Sequence, residues 1–101
     1  MSDEYQIKFA RDVLPDIDKL ALSIRQSVGY ELVGVANDAV QGAYRGSAPQ
    51  PDWPEDFTVL LKGPMKLMSV HGGTSAQRQQ LLADLQTWLE DQGLQCELEE
   101  L

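Results

Sequence analysis

The sequence predicts a single α+β domain in which two helices cover one face of an antiparallel sheet. Two segments show apolar residues at helical spacing, and the segments around them alternate apolar with polar residues. The chain has 101 residues, 43% of them hydrophobic, which is enough for one core and too short for two domains. A disulfide scaffold is excluded because Cys96 has no second cysteine in the chain to pair with.

The first strand is predicted at Tyr5–Phe9, where apolar and polar residues alternate. A helix follows, because Pro15 lies among acidic residues that are typical of a first helical turn. Its apolar stripe is Ile17, Leu20, Ala21, Ile24 and Val28. Gly29 indicates the end of this helix, and Tyr30–Ala36 is predicted as the second strand.

The segment 37–56 is predicted as a long loop that is mobile and carries part of a binding surface. Asn37 is placed to cap a short helical turn that reaches Tyr44. Beyond it, three prolines exclude regular structure, because each ring fixes φ and removes a hydrogen-bond donor. Connections of this length in small domains are usually functional or mobile.

The chain from Phe57 to His71 is predicted as one bulged strand or as a hairpin of two strands. Strand patterns cover Phe57–Lys62 and Met65–His71, and Gly63-Pro64 between them fits either arrangement.

Thr74 begins the second predicted helix, with Gln77 three residues later completing a capping box. The buried stripe of this helix is predicted to be Leu81, Leu82, Leu85, Trp88 and Leu89. Gly93 ends the helix, and Leu94, Cys96 and Leu98 alternate with polar residues in the last strand. The resulting order, β-α-β-β-α-β, predicts a ferredoxin-like split βαβ fold with the first and third strands in its centre.

Charge and hydropathy narrow the classes of partner. Sixteen acidic and eight basic residues give a net charge of -8, and Asp84–Leu101 holds six carboxylates without a Lys or Arg. Nucleic acids and anionic membranes are therefore poor partners, whereas a basic protein is a plausible one. The alternative is that the acidic face only keeps the protein in solution. No apolar run long enough for a membrane helix and no signal peptide is visible, so we expect a cytoplasmic protein.

Two groups of residues are candidates for binding. Arg45 and Trp53 belong to the long loop, where an aromatic side chain on a proline-stiffened segment suits an interface. The alternative for Trp53 is that it covers one end of the core.

The second group is His71, Gly72, Gly73 and Thr74, where a strand leads through two glycines into a helix. Backbone N–H groups at such a helix start can approach an anion, with His71 as an acid or base at the rim. The structural alternative is a glycine turn, a Thr74 cap and an ordinary histidine at a strand end.

The segment Val40-Gln41-Gly42-Ala43-Tyr44-Arg45 is similar to the acylphosphatase signature Val-Gln-Gly-Val-x-Phe-Arg. In that family the motif follows the first strand and leads directly into the first helix. Here it follows the second predicted strand and leads into a proline-containing segment. The family also uses an Asn on a later strand, whereas Asn37, the only Asn of this chain, precedes the motif. We therefore do not assign the chain to this family.

These patterns contain no catalytic or metal-binding constellation, and Cys96 is predicted to face the core. We expect a small acidic interaction or regulatory domain that acts through protein contacts, without a cofactor. The alternative is a small-molecule-binding protein or enzyme of the dimeric ferredoxin-like type that uses His71 and the Gly72-Gly73 turn.

We also expect a homodimer through the open face of the sheet. That expectation takes Val33 and Val35 to face the helices, which would place an apolar patch on the opposite face. The patch would contain Tyr30, Leu32, Leu60 and either Leu67 or the pair Met68 and Val70.

Overall fold

The computed structural model describes residues 3–11, 15–46, 54–61 and 66–101. Trp53 and the tip of the predicted loop, 47–53, lie outside the described residues. The elements are β1 (Asp3–Phe9), α1 (Ile17–Gln26), β2 (Tyr30–Val35), β3 (Ala39–Tyr44), β4 (Phe57–Leu60), β5 (Lys66–Val70), α2 (Ser75–Glu90) and β6 (Cys96–Glu100).

The described strands form one antiparallel sheet in the order β2-β3-β4-β5-β1-β6. Helix α1 carries the chain from β1 to the far edge of the sheet, and β2 to β5 then return as a meander. Helix α2 carries the chain past β1 to β6 on the other edge. The buried residues of both helices join those of the sheet in one hydrophobic cluster. The predicted α+β class, with an antiparallel sheet and two helices, is confirmed.

The predicted ferredoxin-like topology is wrong, because the described chain has six strands in a different order. The unpredicted strand is β3, which replaces the helical turn expected from Asn37 to Tyr44. It pairs with β2 on one side and with β4 on the other, so partners on both sides stabilise it. At its centre, Gly42 contacts the ring of Phe57 so closely that a Cβ would lie 2.4 Å from Cζ.

Residues 57–71 contain two separate strands and not one bulged strand. Strands β4 and β5 lie side by side and antiparallel, with Phe57 opposite Val70 and Leu60 opposite Leu67. Strand β5, and not the predicted third strand at Phe57, is the neighbour of β1.

Both helices begin at side-chain caps. In α1 the Asp16 carboxylate accepts from the backbone N–H groups of Asp18 and Lys19. In α2 the predicted capping box of Thr74 and Gln77 is present in both directions. Buried helical residues are Leu20, Ala21, Ile24, Leu81, Leu85, Trp88 and Leu89. Val28, predicted in the stripe of α1, lies past the end of that helix and is 85% exposed.

The predicted facing of β2 is wrong for Tyr30 and Leu32. Tyr30 is only 6% exposed and packs in the core, and Leu32 lies against the core. Val35 lies opposite the buried Val40, on the core face as predicted, but at the edge of the sheet it is 47% exposed, and Val33 is 40% exposed. Burial of the tyrosine ring removes more apolar surface from water than burial of a valine would. A β-bulge between Leu32 and Gly34 leaves Val33 without a partner in β3.

The open face of the sheet is accordingly more polar than predicted. Met68 and Val70 face the core, and the apolar side chains that remain on the open face include Leu60, which is 36% exposed, and Leu67. Polar neighbours on that face are Gln6, Lys8, Gln41, Thr58, Ser69, Glu97 and Glu99. A homodimer through this face stays a prediction. Within the described segments, neither helix is long and apolar enough to cross a membrane.

Candidate functional site

A surface cleft lies where the turn from α1 to β2, the end of β3 and the first half of α2 meet. The cleft has a volume of about 540 Å³, and a second concavity beside Cys96 has about 490 Å³. Its lining residues are Gln26, Ser27, Val28, Gly29, Tyr30, Tyr44, Arg45, Gln77, Gln80 and Asp84. A volume of this size lies within the range of small-molecule sites.

Tyr30 and Asp84 form the inner wall of the cleft. The Tyr30 ring packs edge-on against Phe57 and Trp88, with ring centres 5.9 and 5.2 Å apart. Its hydroxyl donates to Asp84 Oδ2, and Gln80 Nε2 donates to Asp84 Oδ1 at 3.0 Å. Burial, together with the Asp84 carboxylate, raises the pKa of Tyr30 well above its usual value. The hydroxyl therefore remains a donor to Asp84 at neutral pH.

Arg45 forms the opposite rim. Its Nε donates to the Val28 carbonyl at 2.6 Å, and Nη2 donates to the Tyr30 carbonyl at 3.3 Å. The backbone N–H of Arg45 donates to the Gly29 carbonyl at 2.9 Å. These bonds hold the guanidinium against the turn from α1 to β2 while the side chain stays exposed.

Tyr30 connects the two charged groups of the cleft. Its carbonyl accepts from the Arg45 guanidinium, and its hydroxyl donates to the Asp84 carboxylate. A cation and an anion thus lie at the backbone end and the side-chain end of one tyrosine.

Tyr44 lies between the cleft and the Gly72-Gly73 turn and is 5% exposed. Its hydroxyl is buried and has no hydrogen-bond partner among the residues that the structure describes. Burial, with the Asp56 carboxylate adding to the effect, raises the pKa of Tyr44 to about 12.

The Gly72-Gly73 turn is packed against Tyr44 and Asp56. A Cβ on Gly73 would lie 2.4 Å from Tyr44 Cε2, and a Cβ on Gly72 would lie 2.6 Å from Asp56 Oδ1. Asp56 also joins the turn to β3: its carbonyl accepts from the His71 N–H at 2.7 Å, and its carboxylate accepts from the Tyr44 N–H at 2.9 Å. Close packing therefore explains why glycine occupies both positions. The negative charge of the Asp56 carboxylate disfavours binding of an anion beside Gly72.

The predicted site residues are thus divided between two places. Arg45 lies in the cleft, and Gly73 contacts Tyr44, which lines the cleft from the other side. His71 and Gly72 lie at Asp56, and Thr74 caps α2. Trp53 falls outside the described residues.

Tyr30, Tyr44 and Asp84 were not among the predicted site residues. One local signal was available, because Gln80 and Asp84 are four residues apart on a helix and therefore face each other. No local signal reveals that Tyr30 reaches Asp84, because 54 positions separate them in the sequence.

Two further features concern metal-binding and thiol side chains. No cluster of three or more metal-binding side chains occurs in the described segments. Cys96 is half-buried, and burial, with Glu90 adding to the effect, raises the pKa of its thiol, which disfavours a thiolate.

The two edges of the sheet differ in character. On β2, Val33 and Val35 are 40% and 47% exposed, and Glu31 is the one charged residue of the strand. On β6, Glu97, Glu99 and Glu100 are all exposed. Charged side chains on an edge strand discourage other strands from pairing with it, so β6, with three exposed carboxylates against one on β2, is the better protected edge.

Comparison of the chain with protein-family models, with curated proteins and with solved structures finds no match.

Proposed function

We propose that this protein is a non-catalytic interaction module that assembles with a second copy of itself through the outer edge of β2. The observation that carries the proposal is the exposure of Val33 and Val35 on an edge strand with a single charged residue. An edge strand offers unpaired N–H and C=O groups, and a second strand can satisfy them while it covers the valines.

A second copy fits this edge because antiparallel pairing of β2 with itself opposes no like charges. Glu31 is the single charged residue of the strand, so every two-fold register except one with its axis at Glu31 leaves that carboxylate opposite an uncharged residue. A two-fold arrangement of this kind closes after two copies.

The same pairing at β6 is unfavourable. An axis at Leu98 would place Glu97 opposite Glu99 of the second copy, and like charges in directly opposed positions destabilise a sheet. A basic protein partner, which the acidic charge predicts, would meet this β6 edge instead and leave β2 free for self-assembly.

The edge of β2 replaces the open sheet face as the assembly surface that we propose. Tyr30 and Leu32, on which the face-to-face dimer relied, contribute to the core. Among the described residues of that face, Ala39, Leu60 and Leu67 form a small apolar area with polar neighbours.

The experiment compares Val35→Lys with Leu101→Lys by light scattering over a dilution series. Both changes place a lysine at an exposed apolar position of an edge, since Leu101 follows β6 and is 61% exposed. The mass of the unmodified chain and of Leu101→Lys should reach twice the 11.2 kDa of one chain. The mass of Val35→Lys should stay at that of one chain.

Two outcomes contradict the proposal. One is an unmodified chain that stays at the mass of one copy at every concentration. The other is equal association of both variants, which would place the interface elsewhere. Circular dichroism confirms that each variant is folded, and Val33→Lys provides a second edge variant if Val35→Lys is not.

A further inference from the structure

We propose that the cleft between the turn from α1 to β2 and helix α2 binds an elongated zwitterion, with a carboxylate and an ammonium group at the two ends of an aliphatic chain. The inference rests on the placement of Arg45 and Asp84 around Tyr30. It does not depend on assembly through β2.

Arg45 receives the carboxylate end. Its bonds to the Val28 and Tyr30 carbonyls hold the guanidinium in place, and among the described residues no other side chain accepts from its remaining N–H groups. A guanidinium presents those groups in a planar fork that matches a carboxylate. Because the side chain is already held, little conformational entropy is lost on binding.

Asp84 receives the ammonium end. Each of its oxygens accepts one hydrogen bond, Oδ2 from Tyr30 and Oδ1 from Gln80. A carboxylate oxygen has two lone pairs, so both oxygens can accept a further bond from an ammonium group. The existing bonds orient the carboxylate beside the cleft.

Tyr30 sets the length of the ligand. Its carbonyl marks the Arg45 end and its hydroxyl marks the Asp84 end, so the ligand charges must be separated by about the length of a tyrosine. An α-amino acid is too short, because both of its charged groups are attached to one carbon. Between the ends, Val28 and the rings of Tyr30 and Tyr44 provide apolar contact for methylene groups.

Two sources supply this chemistry: a free ω-amino acid and the C-terminal lysine of a peptide. In both, no second ammonium group lies beside the carboxylate. Free lysine is less suitable, because its α-ammonium group would lie close to the Arg45 guanidinium and be repelled by it.

The test is an amide NMR titration of the unmodified chain with 6-aminohexanoate, followed at Gly29, Tyr30 and Asp84. We expect saturable shifts at these residues. Hexanoate and hexylamine each lack one of the two charged groups. Their affinity should be lower by about tenfold or more, since each loses a charge-assisted hydrogen bond. Glycine, which is too short, should not saturate.

The peptide source is tested with an N-acetylated dipeptide, acetyl-Ala-Lys. Saturation of the same amides assigns the cleft to C-terminal lysines as well as to free ω-amino acids. Binding of 6-aminohexanoate alone restricts it to the free molecule.

Matched variants test the two ends. Arg45→Gln and Asp84→Asn should each weaken 6-aminohexanoate about tenfold. Arg25→Gln and Asp91→Asn remove the same charges outside the cleft and should leave the affinity unchanged. The proposal is overturned if 6-aminohexanoate gives no saturable shifts, if hexanoate or hexylamine equals it, or if the variants bind as the unmodified chain does. The ligand series on the unmodified chain decides the matter even if a cleft variant fails to fold.

Discussion

Gly73→Ala should be among the more destabilising single-methyl additions in this protein. The residue has a φ of +96°, in the left-handed region, where a side chain costs about 1–2 kcal/mol. The new Cβ would also lie 2.4 Å from Tyr44 Cε2. Since the Tyr44 ring is itself packed between Tyr30 and Phe57, the overpacking adds about 1–3 kcal/mol. The expected loss of unfolding free energy is therefore about 2–5 kcal/mol.

Three other glycines separate the two contributions. Gly93 has a φ of +79° with nothing within 4 Å of an added Cβ, so Gly93→Ala should cost only the backbone strain of about 1–2 kcal/mol. Gly42→Ala has only the steric conflict with Phe57 and should cost about 1–3 kcal/mol. Gly29→Ala has neither and should change stability by no more than about 0.5 kcal/mol.

The assay is urea unfolding at one fixed protein concentration, because self-assembly would add a concentration-dependent contribution. The decisive comparison introduces Gly73→Ala into a Tyr44→Leu variant, because leucine lacks the ring edge that the new methyl group meets. In that variant, the loss of unfolding free energy from Gly73→Ala should fall to the loss caused by Gly93→Ala. If Gly73→Ala and Gly93→Ala cost the same in the native background, the contact between Tyr44 and the turn is not as described.

Further predictions concern the core, alkaline pH and salt. Trp88→Ala should cost about 3–5 kcal/mol of unfolding free energy, because the indole is buried against Tyr30 and its Nε1 donates to Ser27 Oγ. Thr74→Ala should cost about 1 kcal/mol through loss of the cap, and equal costs for the two changes would contradict both assignments. Stability should fall as pH rises from 10 towards 12, because the unfolded Tyr44 loses its proton near 10.0 while the folded one keeps it to about 12. Tyr44→Phe should make this fall shallower in pH-dependent urea unfolding, and an unchanged slope would exclude Tyr44 as a cause. Assembly should tighten as salt rises from about 0.01 to about 1 M, since screening weakens the repulsion between chains of net charge -8. Weaker assembly at high salt in light scattering would indicate an interface held by opposite charges.

The elements that could be predicted from the sequence are those whose signals are local. Helix α2 has its capping box within four residues and its buried stripe within nine, from Leu81 to Leu89. Strand β1 shows its alternation directly, with Tyr5 and Ile7 buried. In both cases neighbouring residues in the chain determine the conformation, so periodicity was sufficient.

Strand β3 could not be predicted in the same way, because its evidence lies in other strands. Gly42 interrupts its apolar pattern and weakens a strand considered alone, yet the glycine is what allows the Phe57 ring to lie against the backbone. The pairs that stabilise β3 join it to Leu32 on one side and to Val59 on the other, and neither pairing is visible in the local sequence.

The cleft has the same origin as the errors in predicting the sheet. Because β3 pairs with β2, Tyr44 lies opposite Tyr30. Arg45, the residue after β3, therefore lies beside Gly29, just before the start of β2. Because Tyr30 faces the core and not the open face, its hydroxyl reaches Asp84 on α2. The helical turn predicted from Asn37 to Tyr44 would have placed neither Tyr44 nor Arg45 there. The unpredicted strand therefore determines where the Arg45 cation of the cleft lies, and the facing of Tyr30 towards the core determines that its hydroxyl meets the Asp84 anion.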